Sequence, residues 1–493
     1  MTNVSVATPT SLLIGEQWIP GTGIPLVSID PATGEVNAHV STASDHDIDV
    51  AVTTAHQALR VSNWRNLLPH LRADCLHRIA QRLLERSEHL GNIVMHENGK
   101  TLRECTAQAR AASATFRYYA SVCETLESHV TPSRGDYLSL STYEPFGVVA
   151  AIVPWNSPIT LAADKLAPAL AAGNAVILKP SELTSLVSLE LGRVCLEAGL
   201  PPGLVNVLPG TAATSASLVR HPAINMVSFT GGNAAGRAVA HAAAEKLMPT
   251  VLELGGKSPN IVFEDADLNC AAAGVTAGIF GSLGQSCIAG SRLFVHEAIR
   301  DRLVEKIVAI ADSIRLGPPG NDETQLGPLA SFGHRDRVHA IVCAAQQDGA
   351  TVIAGGARPS GVQFEKGAYY RPTVLDSVTN DSVVCQTEIF GPVLCVLPFS
   401  DEDDLVNQAN QTIYGLACGI WTNDFRMGWS VARRIQAGTI WINTYRQNSV
   451  STPFGGFKQS GSGRERGIQG LRQYQQVKSI FLSTSATPLS LDR

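Results

Sequence analysis

At 493 residues the chain is too long for one ordinary core, so two or three folding units are expected. With 44% hydrophobic and 16% charged residues it reads as folded and globular, not disordered. A formal net charge of −5 leaves no basic excess to attract nucleic acid or an anionic membrane.

Residues 1–40 read as short strands and turns. Asp45 is placed to cap a helix over about 46–60, with Ile48, Ala51, Val52, Ala55 and Leu59 on one face. A long helical segment follows Pro69, with Leu71, Cys75, Ile79, Leu83 and Leu84 at helical spacing, and another spans roughly 102–127. Tyr137 to Tyr143 alternates like an exposed strand. A strand–helix rhythm begins at Gly147. Its strands are 147–153, 175–178, 205–208, 225–229 and 251–254, separated by helices at 158–172, 184–198, 212–220 and 233–246. Continuous apolar strands alternating with helices predict a parallel sheet covered on both faces, hence a doubly wound, dinucleotide-type unit. A second series starts near Pro259. It has strands at 260–263, after Arg292, and near 392–399, 418–422 and 439–442, with helices before Phe280 and over about 297–313. Two stray strands, 137–143 and 475–482, are expected to pair into a small arm with an open edge, which implies a partner subunit.

The ten cysteines are scattered, with no Cys-x-x-Cys pair and no Cys/His cluster at metal spacing. That argues against a metal site and a disulfide framework and suits a reducing cytoplasm. The N-terminal stretch shows no basic segment leading into a long apolar one, so no secretory signal is expected. The longest apolar run, Val148 to Pro154, is far short of a membrane span.

Four stretches carry chemistry. Cys287 lies on a loop of small residues, Phe280 to Arg292, where glycine lets a backbone approach a ligand closely. A thiol there is either an accessible nucleophile or a small buried hydrophobe. Phe229-Thr-Gly-Gly turns from a strand into a helix, which suits a pyrophosphate or simply a tight turn. Lys179-Pro-Ser-Glu182 follows a parallel strand at the usual ligand edge, where its charges could bind ribose or only water. Glu253 ends an apolar strand before two glycines, as a partly buried base or a structural carboxylate would.

Taken together, seven ordered motifs resemble the aldehyde dehydrogenase superfamily over nearly the whole chain. They are Pro154-Trp-Asn156, Lys179-Pro-Ser-Glu182, Phe229-Thr-Gly231, Glu253-Leu-Gly-Gly-Lys-Ser-Pro259, Gly284-Gln-Ser-Cys287, Glu388-Ile-Phe-Gly-Pro-Val393 and Pro453-Phe-Gly-Gly-Phe-Lys-Gln-Ser-Gly461. The interval from Glu253 to Cys287 is similar to that of the hydrolytic members. The resemblance implies two doubly wound Rossmann-like α/β domains plus a small β oligomerisation arm. The expected division is 1–123 with 145–254 for NAD binding, 255–470 for catalysis, and 124–144 with 471–493 for the arm. It implies oxidation of an aldehyde to the acid, with Cys287 as nucleophile, Asn156 as oxyanion donor beside the Cys287 N–H, and Glu253 as general base.

The same resemblance implies that Lys179 and Glu182 hold the adenosine ribose and Glu388 the nicotinamide ribose. Gly231 and Gly232 would lie near the pyrophosphate, and Trp155 and Phe390 would flank the cofactor. Further cofactor contacts are expected from Ile152, Pro154, Ser181, Gly210, Phe229, Thr230, Leu254 and Gly255. Glu182 should repel the 2′-phosphate of NADP, so NAD is expected, with NADP as the alternative. Three departures stand out: Gly232 replaces a serine common after Phe-Thr-Gly, Ser282 replaces an asparagine, and Gly210-Thr-Ala-Ala213 lacks a second glycine. The substrate tunnel implied by the family is lined here by Ser157, Leu161, Asp164, Gly281, Ser286, Ile288, Arg446, Asn448 and Phe454. Aromatic positions in relatives that act on simple alkanals are small or polar here, so a polar, aromatic or semialdehyde-like substrate is expected. Arg446 is expected to pair with Asp164 or to bind the substrate. A homodimer or homotetramer in the cytoplasm is expected, without metal, nucleic acid or membrane. The rival readings are a CoA-acylating semialdehyde dehydrogenase, which typically lacks the glutamate found at 253, and a non-catalytic member, which would be expected to lose Cys287, Glu253 or Asn156.

Overall fold

Val148–Ile152 and Ala175–Lys179 are buried at every position, as strands covered on both faces must be. They sit in the middle of an eight-stranded sheet, in a computed structural model that describes residues 8–487. The sheet order is Gly461–Ser462, Thr250–Glu253, Met226–Thr230, Val148–Ile152, Ala175–Lys179, Val205–Val207, Leu12–Ile14, Gln17–Ile19. The five strands from Thr250–Glu253 to Val205–Val207 run parallel, and their order reverses beside Val148–Ile152. This is the doubly wound arrangement expected from the alternating pattern. The helices over 158–172, 184–198, 212–220 and 233–246 form as Pro158–Ala171, Leu186–Glu197, Ala212–Arg220 and Asn233–Ala244.

A seven-stranded sheet builds the second unit, in the order Thr351–Ala354, Thr373–Asp376, Val393–Phe399, Arg292–His296, Pro259–Val262, Ala417–Trp421, Thr439–Ile442. All but the first pairing are parallel. The pattern alone did not reveal Thr351–Ala354, Thr373–Asp376 or the helix Phe332–Gln347. Each sheet has its own apolar core. One gathers residues from Leu12 to Leu254 with Leu471 and Tyr474, and the other residues from Ile261 to Tyr445.

The two stray strands do pair. Tyr137–Pro145 and Gln475–Ser483 run antiparallel from Gln475↔Pro145 to Ser483↔Tyr137, with His129–Thr131 on the far side. The edge strand carries exposed Val477, Ile480, Phe481 and Leu482. The last residues of the expected arm, 488–493, and the first residues of the chain, 1–7, lie outside the described residues.

Several local expectations need correction. The first helix, Asp45–Val61, is capped by Ser44, not Asp45: Ser44 and Asp47 form a reciprocal capping box. The segment after Pro69 is two helices, Pro69–Glu85 and Ser87–Asn98, with Leu71 and Leu84 exposed and Ala73, Leu76 and Ala80 completing the buried face instead. The helix expected over 102–127 stops at Cys123.

Gly461–Ser462 ties the two units together, pairing antiparallel with Leu252 and Glu253. Gly461 has φ of 154°, and a Cβ there would stand 2.3 Å from the Leu252 carbonyl oxygen. Neither the backbone conformation nor the space suits a side chain. Gly461→Ala is therefore expected to lower the melting temperature by about 1–3 °C, as an overpacked site costing about 1–3 kcal/mol in a chain of this length would. It should also reduce turnover by shifting Glu253. Calorimetry and an activity assay on one preparation check both.

No helix among the described residues is long and apolar enough to cross a membrane. All ten cysteines are free. Among the described residues no group of three or more His, Cys, Asp or Glu side chains is gathered to hold a metal ion.

Candidate active site

The carboxyl ends of the parallel strands deliver the expected segments to one crevice. Ile152 ends one strand, Lys179 the next, Thr230 a third and Glu253 a fourth. The cysteine loop faces them from the second unit. Its helix, Leu268–Phe280, starts on Asp267, whose carboxylate accepts from the Asn269 and Cys270 amides. A left-handed turn follows, with φ of 55° at Ser282, 54° at Leu283 and 66° at Gly284. A leucine there is costly by about 1–2 kcal/mol, and such backbone outliers gather where surroundings over-determine a functional geometry. Phe390, Arg446 and Arg466, also at positive φ, lie around the same crevice.

Two bonds hold the loop. Gln285 is fully buried; its side chain accepts from the Ala330 amide at 2.9 Å, and its carbonyl accepts from Asn156 Nδ2 at 3.0 Å. Asn156 is thereby fixed two residues from Cys287. The Cys287 carbonyl lies against Gly256, where a Cβ would stand 2.2 Å away. Burial pushes the Cys287 thiol up to about 12, the charges of Glu388 and Glu253 add to this, and Arg466 opposes it.

Glu253 is 3% exposed, and neither carboxylate oxygen has a hydrogen-bond partner. Burial raises its carboxyl well above the usual range, and Glu465 pushes the same way, while Lys165, Arg464 and Arg466 oppose it. The sequence did not reveal these neighbours. Lys165 and Glu465 form a fully buried ion pair at 2.5 Å, and Lys165 also donates to Ser228 Oγ, which Tyr474 shares. Arg466 Nε and Nη2 both donate to Asp164 Oδ2, at 3.1 and 2.9 Å, and its guanidinium lies over the Phe454 ring.

That last pair is a correction. Asp164 is 2% exposed, with its other oxygen accepting from Thr115, so it is held by Arg466 and not by Arg446, and it presents no free carboxylate to a tunnel. Arg446 donates instead to Ser282 Oγ and the Ala277 carbonyl.

Along the dinucleotide edge, Lys179 Nζ lies 3.6 Å from Glu182 Oε1, with Ser181 buried between them. Gly232 precedes the helix Asn233–Ala244 with open space around it, whereas Gly231 is packed against the Phe229 ring. Thr230 Oγ1 is buried without a partner. Glu388 accepts from the Gly256 amide at 3.0 Å and fills the place a Cβ on Gly255 would take. Burial raises the Glu388 carboxyl. Leu254 is pinned through its amide to the Ser460 carbonyl. The Trp155 and Phe390 rings meet edge to face at 5.2 Å, joined by His334, which the sequence reading missed. Gly210 is buried against Thr214 in the turn before Ala212–Arg220. Ile152 is buried and Pro154 half-buried at the mouth of the crevice.

Among the expected tunnel residues, Ser157 and Leu161 occupy the start of Pro158–Ala171, and Ser286 is half-buried beside Cys287. The Ile288 carbonyl accepts from the Tyr445 hydroxyl at 2.9 Å. Asn448 is exposed and donates to the Arg446 carbonyl. Phe454 pairs through its backbone with Glu465.

Known proteins share this fold. The Aldehyde dehydrogenase family pattern matches residues 18–480. An aldehyde dehydrogenase of Bacillus cereus, solved as its NAD+ complex, is 37% identical with a TM-score of 0.95, over 98% of this chain and 99% of that one. The betaine aldehyde dehydrogenase of Staphylococcus aureus, also solved with NAD+, is 32% identical with a TM-score of 0.96, over 98% of this chain and 96% of that one. A buried carboxyl, an anchored amide and a glycine-framed thiol therefore sit within a fold shared from end to end with such enzymes, and the chain belongs to the aldehyde dehydrogenase family, oxidoreductases that act on aldehydes.

Proposed function

We propose that the protein oxidises an aldehyde to its carboxylic acid with NAD through a covalent intermediate on Cys287. The observation that carries this reading is the unpartnered, buried Glu253 carboxyl in electrostatic reach of Cys287, whose loop is held by Asn156.

The residues fit a dinucleotide. Thr230 Oγ1 is an orphaned buried hydroxyl, Gly232 opens a helix start, and Lys179, Glu182 and Glu388 supply one amine and two carboxylates for hydroxyl groups. Ile152, Pro154, Trp155, Ser181, Gly210, Phe229, Gly231, Leu254, Gly255 and Phe390 complete the proposed contacts. When bound, the dinucleotide supplies the hydride acceptor.

Cys287 gives up its proton to solvent water as its sulfur adds to the aldehyde carbon, forming a thiohemiacetal. The carbonyl oxygen becomes an oxyanion, which the Asn156 amide and the Cys287 N–H stabilise; one such donor is worth roughly 3 kcal/mol. Once the hydride has left, Cys287 carries a thioester. Glu253 takes a proton from water, whose oxygen attacks that thioester; the C–S bond breaks, the acid leaves, and the Cys287 thiolate recovers the proton from Glu253. Burial above all, with Glu465 on the same side and Lys165, Arg464 and Arg466 against it, governs how readily Glu253 holds its proton. Retention of Glu253 disfavours a CoA-acylating enzyme, and retention of Cys287, Glu253 and Asn156 disfavours a non-catalytic role.

The two cores support a division into 1–123 with 145–254 for the dinucleotide and 255–470 for catalysis. The exposed apolar edge of Gln475–Ser483 supports a homodimer or homotetramer built through the arm, 124–144 with 471–493, and the ten free cysteines suit the reducing cytoplasm.

NADH absorbance over an aldehyde panel, with NAD and NADP in parallel, tests the reading. No aldehyde giving NADH would overturn it. NAD is expected to be preferred, because Glu182 meets a 2′-phosphate with like charge. Glu182→Ser is expected to narrow that preference by about tenfold, the removal of roughly 1.4 kcal/mol of repulsion.

A further inference from the structure

Arg446 forms no ion pair among the described residues. Its Nη2 donates to Ser282 Oγ at 3.2 Å and its Nη1 reaches the Ala277 carbonyl at 3.5 Å. The carboxylate that the sequence offered it, Asp164, is taken by Arg466.

The guanidinium has a built seat. It lies directly over Gly281, where a Cβ would stand 2.3 Å from Nη1, so the missing side chain at the start of the cysteine turn is what makes its room. Arg446 holds this position with φ of 60°, a conformation that a long side chain adopts at a cost. Two bonds fix it there. Asn448 donates to the Arg446 carbonyl at 3.0 Å, and the neighbouring Tyr445 hydroxyl donates to the Ile288 carbonyl, just past Cys287. Residues 445 and 446 therefore straddle the loop that carries the nucleophile.

The surrounding charge is unbalanced. Glu104 Oε1 accepts from the Ser282 amide and hydroxyl at 3.2 and 3.1 Å, which puts it one hydroxyl away from Arg446. Buried Lys100 draws on the same Glu104 and feels Arg446 as a repelling charge. Two cations thus share one carboxylate, and the guanidinium is only half-buried. A guanidinium is always charged, and its planar fork matches a carboxylate through two parallel hydrogen bonds.

We propose that Arg446, seated over Gly281, selects aldehydes that carry a carboxylate at the end remote from the reacting carbon. This rests on the aldehyde-oxidising reading above and narrows it from polar aldehydes in general to anionic ones.

The test compares a homologous series of aldehydes ending in a carboxylate with the methyl esters of the same series, read as NADH formation. For the best-fitting length, kcat/KM for the acid is expected to exceed that for its ester by about tenfold or more, mainly through KM. Arg446→Gln is expected to lower this acid-to-ester ratio by about ten- to hundredfold. Arg446→Lys should keep part of it. Gly281→Leu, which displaces the guanidinium without touching its charge, should lower it too. The ratio within one preparation does not depend on the fraction of folded enzyme, so a poorly folding variant still gives an answer. A ratio unchanged in Arg446→Gln, or esters preferred at every length by the wild type, overturns this inference alone. Absence of NADH from every aldehyde overturns the reaction and this inference with it.

Discussion

Cys287→Ala is expected to abolish aldehyde-dependent NADH formation, with kcat falling by at least about ten-thousandfold, because the proposed thiohemiacetal and thioester both form on its sulfur. Calorimetric titration with NAD should still give a binding heat, since the proposed dinucleotide contacts come from other segments. Turnover of the alanine variant at the wild-type rate would sink the mechanism. The wild-type thiol carries its own prediction. With its pKa pushed up to about 12 by burial, it keeps its proton at neutral pH in the ligand-free protein. Alkylation by iodoacetamide is therefore expected to be slow at neutral pH and to accelerate as pH rises, since only the thiolate attacks. Fast, pH-independent alkylation would show that the free protein already holds a thiolate.

Glu253→Gln separates the two halves of the reaction. The glutamine keeps the shape of the side chain but cannot accept a proton from water. Rapid mixing should show one burst of NADH per active site, followed by a steady state slowed by about a hundred- to thousandfold. In the wild type, turnover needs the ionised carboxylate. Because Glu253 is raised well above the ordinary carboxyl value, activity should climb with pH in a range above that value and not level off near pH 4–5. Stability follows the same group with the opposite sign. A carboxyl raised by folding contributes stability that is fully present below its unfolded pKa of about 4.3 and is lost as pH rises through its folded value. The glutamine has no such loss. It should melt above the wild type at neutral pH, and the gap should close on the acid side of about pH 4. A gap that widens on acidification would contradict the buried, unpartnered carboxyl.

What could be read from the sequence follows from how local each cause is. The strand Val148–Ile152 is buried on both faces, so its apolar run needed no partner to be recognised. Cys287, Glu253 and Asn156 were legible because each lies in a short contiguous motif. The helix cap was misplaced by one residue because Ser44 and Asp45 are both capable caps, and only the reciprocal bonds to Asp47 choose between them. Pairs made across the fold left no local sign. Lys165 and Glu465 are 300 residues apart, and nothing beside either names the other. The same distance explains the exchange of Arg446 for Arg466: Arg446 follows the last strand of the second sheet and Arg466 follows Gly461–Ser462, and which one reaches Asp164 is decided by where the chain turns. Thr351–Ala354 went unseen because it is a half-exposed edge strand with little apolar contrast.

The short strand Gly461–Ser462 that closes on Glu253 also sets a clock on synthesis. At roughly 5–20 residues per second, a ribosome needs about ten to thirty-five seconds to travel from Cys287 to Gly461. Through that interval the thiol has emerged without the frame that suppresses it, and its pKa is that of an ordinary cysteine, about 8.5. The nascent nucleophile is therefore more open to oxidants and stray electrophiles than the finished one. The strand that closes on the base is thus made long after the nucleophile, so an unfinished chain carries an open thiol that the completed enzyme buries.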